Sequence, residues 1–341
     1  MSAFEDWVEV RAVPERLEGD VAGRLDGGPA WPHGPRFYTT RMLNSPAIRP
    51  HCFVMLARTQ FALVLVAAWL AGADCIAASP TLDRIKSSGT ITLGYRDGAA
   101  PFSARQRNGQ VRGYSVELCE KIAAAVGRSL GMADLKIVWK PVDAETRISD
   151  VVSRKIDAEC GSTTITLSRM ERVDFSVPIF VDGGSALVRA GRDAPQSLPA
   201  LAGKRIAVMP STTTETALRK ALAVTATSAT IVSVKDSAEG VAALLAGKVD
   251  AYASDRMLLA RLRLDDARGA ELSFLENDFS YEPYAIVVAR DDPDFRLLVN
   301  RTLVSLYKTG EIDPIFIRWL GPYGSPGALL NAMFYLNALP E

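Results

Sequence analysis

From Thr90 onward, strand patterns and amphipathic helix patterns alternate, break at a glycine-marked crossing, and begin again. Such alternation implies mostly parallel pairing with helices packed on the sheet faces. A short helical pattern with Leu82 and Ile85 stops at Gly89, and Thr90–Gly94 reads as a strand. Ser115 is read as the N-cap of a helix that lines up Leu118, Ile122, Ala125 and Val126. Leu135–Val142 reads as a strand, Ile148, Val151, Val152 and Ile156 as a helix face, and Ala158–Ser162 as a return to the sheet. The crossing is Val181–Arg192, with Gly183, Gly184 and Gly191. The second run has strands at Lys204–Met209, Ala229–Val234 and Val249–Ala253. Its helices pass through Leu218 and Leu222 and over Ala238–Ala246. Tyr284–Ala289 reads as a further strand, followed by helical patterns at Phe295–Tyr307 and Ile312–Trp319. Two α/β lobes facing each other leave a cleft, the usual place for a small ligand.

The compartment is read from residues 61–73, FALVLVAAWLAGA, an apolar run short for a bilayer span. Arg58 precedes it and the small residues of Cys75–Ser79 follow. A positive flank, a short apolar core and a small-residue exit make a secretory signal peptide, with cleavage after Ala77 or Ala78. An uncleaved anchor fits its length less well, and Asp74 is an odd neighbour for an acylated Cys75. Signal peptides open a chain, so translation is expected to start at Met55 or Met42. Residues 1–54 are then an extension outside the protein proper, and 55–78 the leader.

Both histidines, His33 and His51, precede this expected mature start. An imidazole-free mature chain excludes Ser-His-Asp and Cys-His catalysis and HExxH zinc sites. The formal net charge is zero, without the basic surplus that phosphate binding requires, so no nucleic-acid partner is expected. Of four cysteines, Cys119 and Cys160 remain after the leader, and the sequence leaves open whether they pair.

Three segments carry a resemblance: LDRIKSSGTITLGYRDGAAPFS (82–103), GYSVELCEKIA (113–123) and DAECGSTTITLSRMERVDFSVPIF (157–180). Together they resemble the family 3 amino-acid-binding proteins of bacterial ABC importers, especially its glutamate/aspartate-binding members, from about residue 81 to the C-terminus. The resemblance implies a two-lobed α/β fold of the type II periplasmic-binding-protein kind. Lobe 1 is expected over 79–184 plus 285–341 and lobe 2 over 185–284, with the cleft between them and hinge strands joining them.

The resemblance also implies roles. Arg169 holds the ligand α-carboxylate, with Thr164 and nearby Ser162 adding hydrogen bonds. Asp255 takes the ammonium, and Thr213 contacts the ligand from the second lobe. Arg96 and Arg147 match positions that hold a distal carboxylate. The chemistry agrees: a zwitterion buried between lobes needs a partner for each charge, and guanidinium forks suit carboxylates. Read without the resemblance, these arginines are solvated surface charges, Asp255 is a helix cap, and Asp157 and Glu159 are exposed acids at a strand end. Three departures stand out. Ala144 replaces a contacting Ser, Ser237 replaces a His, and Ser211 stands where the family often has Gly. Tyr114 and Phe102 read as core or cleft wall.

The implied mechanism is hinge closure on a small amino acid, with the closed form recognised by membrane permease subunits. No cofactor, metal or enzymatic activity is expected, and the binder is expected to be a periplasmic monomer. The rival is a cyclohexadienyl dehydratase-like enzyme of the same fold, which would need a general acid in the cleft. A free binding protein that signals to a membrane receptor is the other alternative.

Overall fold

The computed structural model describes residues 79–340. The expected leader and extension, both histidines, Cys52 and Cys75 lie outside these residues. The first run comprises α1 (Pro80–Ser88), β1 (Thr90–Arg96), the short strands β2 (Ala104–Arg105) and β3 (Val111–Arg112), α2 (Tyr114–Leu130), β4 (Lys136–Val142), α3 (Arg147–Val152), β5 (Ala158–Glu159), α4 (Leu167–Met170) and β6 (Val173–Phe175). Two elements follow at the crossing, β7 (Phe180–Asp182) and β8 (Gly184–Arg189). The second run holds β9 (Arg205–Val208), α5 (Thr213–Val224), β10 (Thr230–Ser233), α6 (Ser237–Leu245), β11 (Ala251–Asp255), α7 (Arg256–Asp265) and β12 (Leu272–Phe274). The chain then crosses back through β13 (Glu282–Tyr284) to β14 (Val287–Ala289) and ends in α8 (Pro293–Thr309), α9 (Ile312–Leu320) and α10 (Ala328–Leu336).

Two five-stranded sheets result, ordered β4-β1-β5-β14-β6 and β10-β9-β11-β8-β12. In each, two pairings are parallel and two antiparallel. The expectation of mostly parallel pairing is therefore corrected. The strands that break the pattern, β8 and β14, enter their sheets directly from the crossing strands rather than after a crossover helix. Likewise the single strand expected at Tyr284–Ala289 is two strands in different sheets. The third C-terminal helix, α10, was not anticipated from its sequence.

Period-two alternation builds the cores. In the second sheet Ala186 and Val188, Ile206 and Val208, and Ala251 and Ala253 pack on one face with Leu218 and Leu222 of α5. The intervening Leu187, Ala207 and Tyr252 pack on the other with Val241 and Leu244 of α6. A strand buried on both faces must be apolar throughout, as these are. The first sheet is covered on one face by α2, α8 and α9 through Ile91, Leu93, Ile122, Val299 and Phe316.

Ser115 is not the N-cap of α2; Gly113 is, at φ 147°. A Cβ there would run into the Phe102 carbonyl, which is why the cap cannot carry a side chain. Phe102 and Tyr114 are fully buried. Phe102 packs edge-to-face on Phe180 and Tyr284, with ring centroids 5.0 and 5.2 Å away. Since Phe180 lies on β7 and Tyr284 on β13, this aromatic cluster anchors the two crossing strands in the first core. Those strands pair antiparallel, Phe180 opposite Tyr284 and Asp182 opposite Glu282.

Candidate functional site

The candidate residues sit where parallel strands end. Arg96 is the last residue of β1 and Asp255 the last of β11, and Ser162 and Thr164 follow the end of β5. Open α/β sheets offer ligands this carboxyl edge. A cavity there is lined by Arg96, Arg147 and Ser162 on one side and by Thr212, Thr213, Thr214, Ser237, Ser254 and Asp255 on the other. Ser237, the departure from the family's His, is thus on the wall.

One end of the cavity is cationic. Arg96 and Arg147 are buried, not surface charges. Arg96 Nη1 lies 3.5 Å from Ser162 Oγ. Among the described residues, Arg96 Nε and Arg147 Nε and Nη1 have no hydrogen-bond partner. Unpaired guanidinium donors in a buried wall are costly unless an anion meets them. Burial, and then repulsion from Arg96 and Arg169, pull Arg147 down to about 9. Arg169 is also lowered, by burial first. Its Nη1 donates to the Thr164 carbonyl at 2.7 Å, so its fork braces the Thr164 backbone and does not line the cavity. Of the site residues expected from the sequence, Arg96, Arg147, Ser162, Thr213 and Asp255 line the cavity, and Arg169 and Thr164 stand behind its wall.

The opposite end is anionic. Asp255 Oδ1 accepts from Thr214 Oγ1 and Oδ2 from Tyr284 Oη, each at 2.5 Å. Asp255 is the N-cap residue of α7, but its side chain makes no capping bond, so the carboxylate is turned toward the cleft and not spent on the helix. Tyr284 Oη also lies 3.1 Å from Asp182 Oδ2. Burial first, and Asp255 second, push Asp182 up to about 8. Glu282 is raised by the same two causes. Its Oε2 accepts from Thr164 Oγ1 at 2.6 Å and its Oε1 from Ser280 Oγ at 2.7 Å. A hydroxyl has one proton, so Thr164 Oγ1 offers the cleft only an acceptor.

The two sheets meet at the site: Thr164 Oγ1 and Thr213 Oγ1 are 3.2 Å apart. Thr213 opens α5, capped by Thr212 Oγ1 accepting the Glu215 N–H at 3.1 Å. The preceding turn puts Ser211 at φ 61°, the left-handed conformation that glycine adopts freely. The resemblance's glycine therefore has a backbone reason, and serine here bears the strain.

Sequence reasoning missed Glu159, Asp182, Glu282 and Tyr284. Glu159 and Asp157 are buried, against the expectation of exposed strand-end acids. Asp157 is paired with Arg84 and accepts the Thr92 N–H at 2.7 Å. Glu159 has no hydrogen-bond partner among the described residues. The available signal was an acid set in apolar strand sequence, as in FVDGG and YEPY.

Comparisons with known proteins give the family and the fold. The model of the bacterial extracellular solute-binding proteins, family 3, matches residues 91–322. The glutamate/aspartate import solute-binding protein of Salmonella typhimurium is 32% identical over 243 residues, covering 71% of this chain and 80% of that protein. The L-glutamate/L-aspartate-binding protein of Pseudomonas aeruginosa is 33% identical over 253 residues, 74% of this chain and 83% of that one. Among solved structures, an ancestral arginine-binding protein bound to arginine superposes with a TM-score of 0.61 at 28% identity, covering 68% of this chain and 99% of its own. An ancestral amino acid-binding protein, a precursor of cyclohexadienyl dehydratase, gives 0.61 at 27% identity, covering 70% and 99%. The chain belongs to the bacterial extracellular solute-binding proteins, family 3.

Proposed function

We propose that this chain is the substrate-binding component of an amino-acid ABC importer, with glutamate or aspartate as its ligand. The observation that carries the reading is the pair of buried arginines, Arg96 and Arg147, with unpaired donors on a cavity whose far wall is Asp255. Two free guanidinium groups suit a distal carboxylate, and Asp255 suits the ammonium. Thr164 Oγ1, as an acceptor, joins Asp255 at the ammonium. Ser162 and Thr213 complete the contacts. Arg169 acts on the α-carboxylate once the Thr164 segment adjusts around the ligand. Closure turns on the crossing strands, dividing the chain into lobe 1 (79–184 plus 285–341) and lobe 2 (185–284). The monomer works in the periplasm after leader removal and delivers its ligand to permease subunits, with no cofactor and no nucleic acid.

Calorimetric titration of protein refolded to strip ligand tests this, with glutamate, aspartate, glutamine, arginine and leucine. Tight binding of glutamate or aspartate is expected. Tight binding of arginine or leucine instead would overturn the acidic reading. The raised acids Asp182 and Glu282 favour a second reading, a dehydratase with one of them as general acid. Neither acid lines the cavity and each is hydrogen-bonded to a hydroxyl, which supports the binder. Turnover of a cyclohexadienyl acid would reverse that ranking.

A further inference from the structure

Arg96 and Arg147 line one end of the cleft with Arg169 behind them, three like charges near one another, the first two buried. Repulsion from Arg96 lowers both Arg147 and Arg169. Such a cluster needs a compensating anion even before ligand arrives. The anion nearest to the purpose is Glu159, at the end of β5. It is fully buried, and both carboxylate oxygens lack a hydrogen-bond partner among the described residues. Its place is fixed by Gly161, where a Cβ would run into Glu159 Oε1 and stand 3.2 Å from Arg96 Cδ. The carboxylate and the Arg96 stem therefore press on the same glycine. Glu159 is also the leading charge that supports the ionised form of both Arg147 and Arg169. It acts through space on Arg147 and Arg169 and is hydrogen-bonded to neither.

We propose that Glu159 is a specificity-determining residue, a buried counter-charge that trims the three-arginine cluster to a net charge that two ligand carboxylates neutralise. The inference rests on the acidic-ligand reading above. Three positive charges alone would over-attract anions and destabilise the unliganded protein. With Glu159 the cluster matches an amino acid bearing one side-chain carboxylate. The strength of the preference for an anionic ligand is thus limited by an acid that touches no ligand.

The test compares the wild type with Glu159→Gln and Glu159→Met, two neutral side chains of similar length, and with Glu159→Asp, which keeps the charge. Titration with glutamate and glutamine gives an affinity ratio for each protein. The neutral variants are expected to raise the glutamate-to-glutamine ratio by about tenfold or more, since one unit charge is removed near the distal carboxylate. Their melting temperature without ligand falls, and glutamate restores more of it than glutamine does. Glu159→Asp keeps the ratio within about threefold of the wild type. An unchanged or lower ratio in both neutral variants, or the same change in Glu159→Asp, would overturn the proposal and leave Glu159 as a space-filler beneath Gly161. If the neutral variants fold poorly, they are refolded with glutamate or glutamine present; equal recovery counts against the proposal and greater recovery with glutamate supports it. A wild type that prefers a neutral or basic amino acid sinks the acidic-ligand reading separately. The charge shift is then still read from whether neutralising Glu159 moves preference toward more anionic ligands.

Discussion

The hydroxyl oxygens of Thr164 and Thr213 lie 3.2 Å apart, one on the segment leaving β5 and the other on the first residue of α5. Because Thr164 gives its proton to Glu282 at 2.6 Å, Thr213 is the donor between them. This one bond joins the two sheets at the mouth of the cleft. For the hinge closure proposed above, this bond is the latch.

Thr213→Val keeps the shape and removes the donor. A neutral hydrogen bond contributes about 1 kcal/mol. Ligand affinity is expected to fall about fivefold by calorimetry, with faster release. Small-angle scattering of the ligand-free variant should give a larger radius of gyration. An unchanged radius would mean that other contacts hold the sheets together.

Arg147 trades stability for recognition. Its Nε and Nη1 are buried without partners, and its neighbours Arg96 and Arg169 repel it. Removing a buried charge that lacks hydrogen-bond partners, from a cluster that Glu159 leaves net positive, stabilises by about 1–3 kcal/mol. Arg147→Met should melt several degrees higher than the wild type without ligand. Its glutamate affinity should drop about 100-fold, the loss of charged hydrogen bonds to the ligand. A lower melting temperature would show that the guanidinium is satisfied in solution by something that pays for its burial.

Cys119 and Cys160 form a disulfide across a sequence separation of 41 residues. It ties α2 to the segment between Glu159 and Gly161. Closing a loop of that length stabilises by about 3–4 kcal/mol through the unfolded chain. The Cys119→Ala, Cys160→Ala double variant should therefore melt lower by on the order of 10 °C. The wild type in reductant should approach the same value.

Much of this site was legible in the sequence and part of it was not, for a physical reason. Arg96, Arg147, Ser162 and Asp255 lie at strand or helix ends, where pattern and motif coincide, and the cavity gathers them. Ser211–Thr214 announced a helix start, and Thr212 caps it. The acids Glu159, Asp182 and Glu282 were opaque. Periodicity says which residues share a face, but an acid's burial is decided by what packs over it. The covering groups come from distant segments: Tyr284 and Met257 reach Asp182, and Thr164 reaches Glu282. The cysteine pairing was undecidable for the same reason, since α2 and β5 meet only in the folded sheet. The count of parallel pairings failed at β8 and β14, because a crossing strand reads in sequence like any other.

Asp182 makes stability depend on pH. Tyr284 Oη lies 2.5 Å from Asp255 Oδ2 and 3.1 Å from Asp182 Oδ2. One phenolic proton cannot serve two ionised carboxylates. A proton on Asp182 completes the chain, with Asp182 donating to Tyr284 and Tyr284 to Asp255. With the proton on Oδ2, Oδ1 still accepts the Gly183 N–H at 2.9 Å and the Met257 N–H at 3.4 Å. An unfolded aspartate ionises near pH ~4, whereas folded Asp182 holds its proton to about 8. Between these values the folded state binds more protons than the unfolded state, so stability falls as pH rises. The contribution is full below the unfolded value and lost as pH rises through about 8. Asp182→Asn mimics the protonated acid, with Nδ2 in place of Oδ2 donating to Tyr284 and the carbonyl in place of Oδ1 accepting the Gly183 N–H and the longer Met257 N–H. Its melting temperature should decline less than the wild type's between about pH 5 and 8, and should exceed it at about pH 8.5. Glu282 is shifted in the same direction but is present in both proteins, so the difference in slope isolates Asp182. Parallel melting curves would show that Asp182 is already ionised at low pH and that the Tyr284 proton is shared without it.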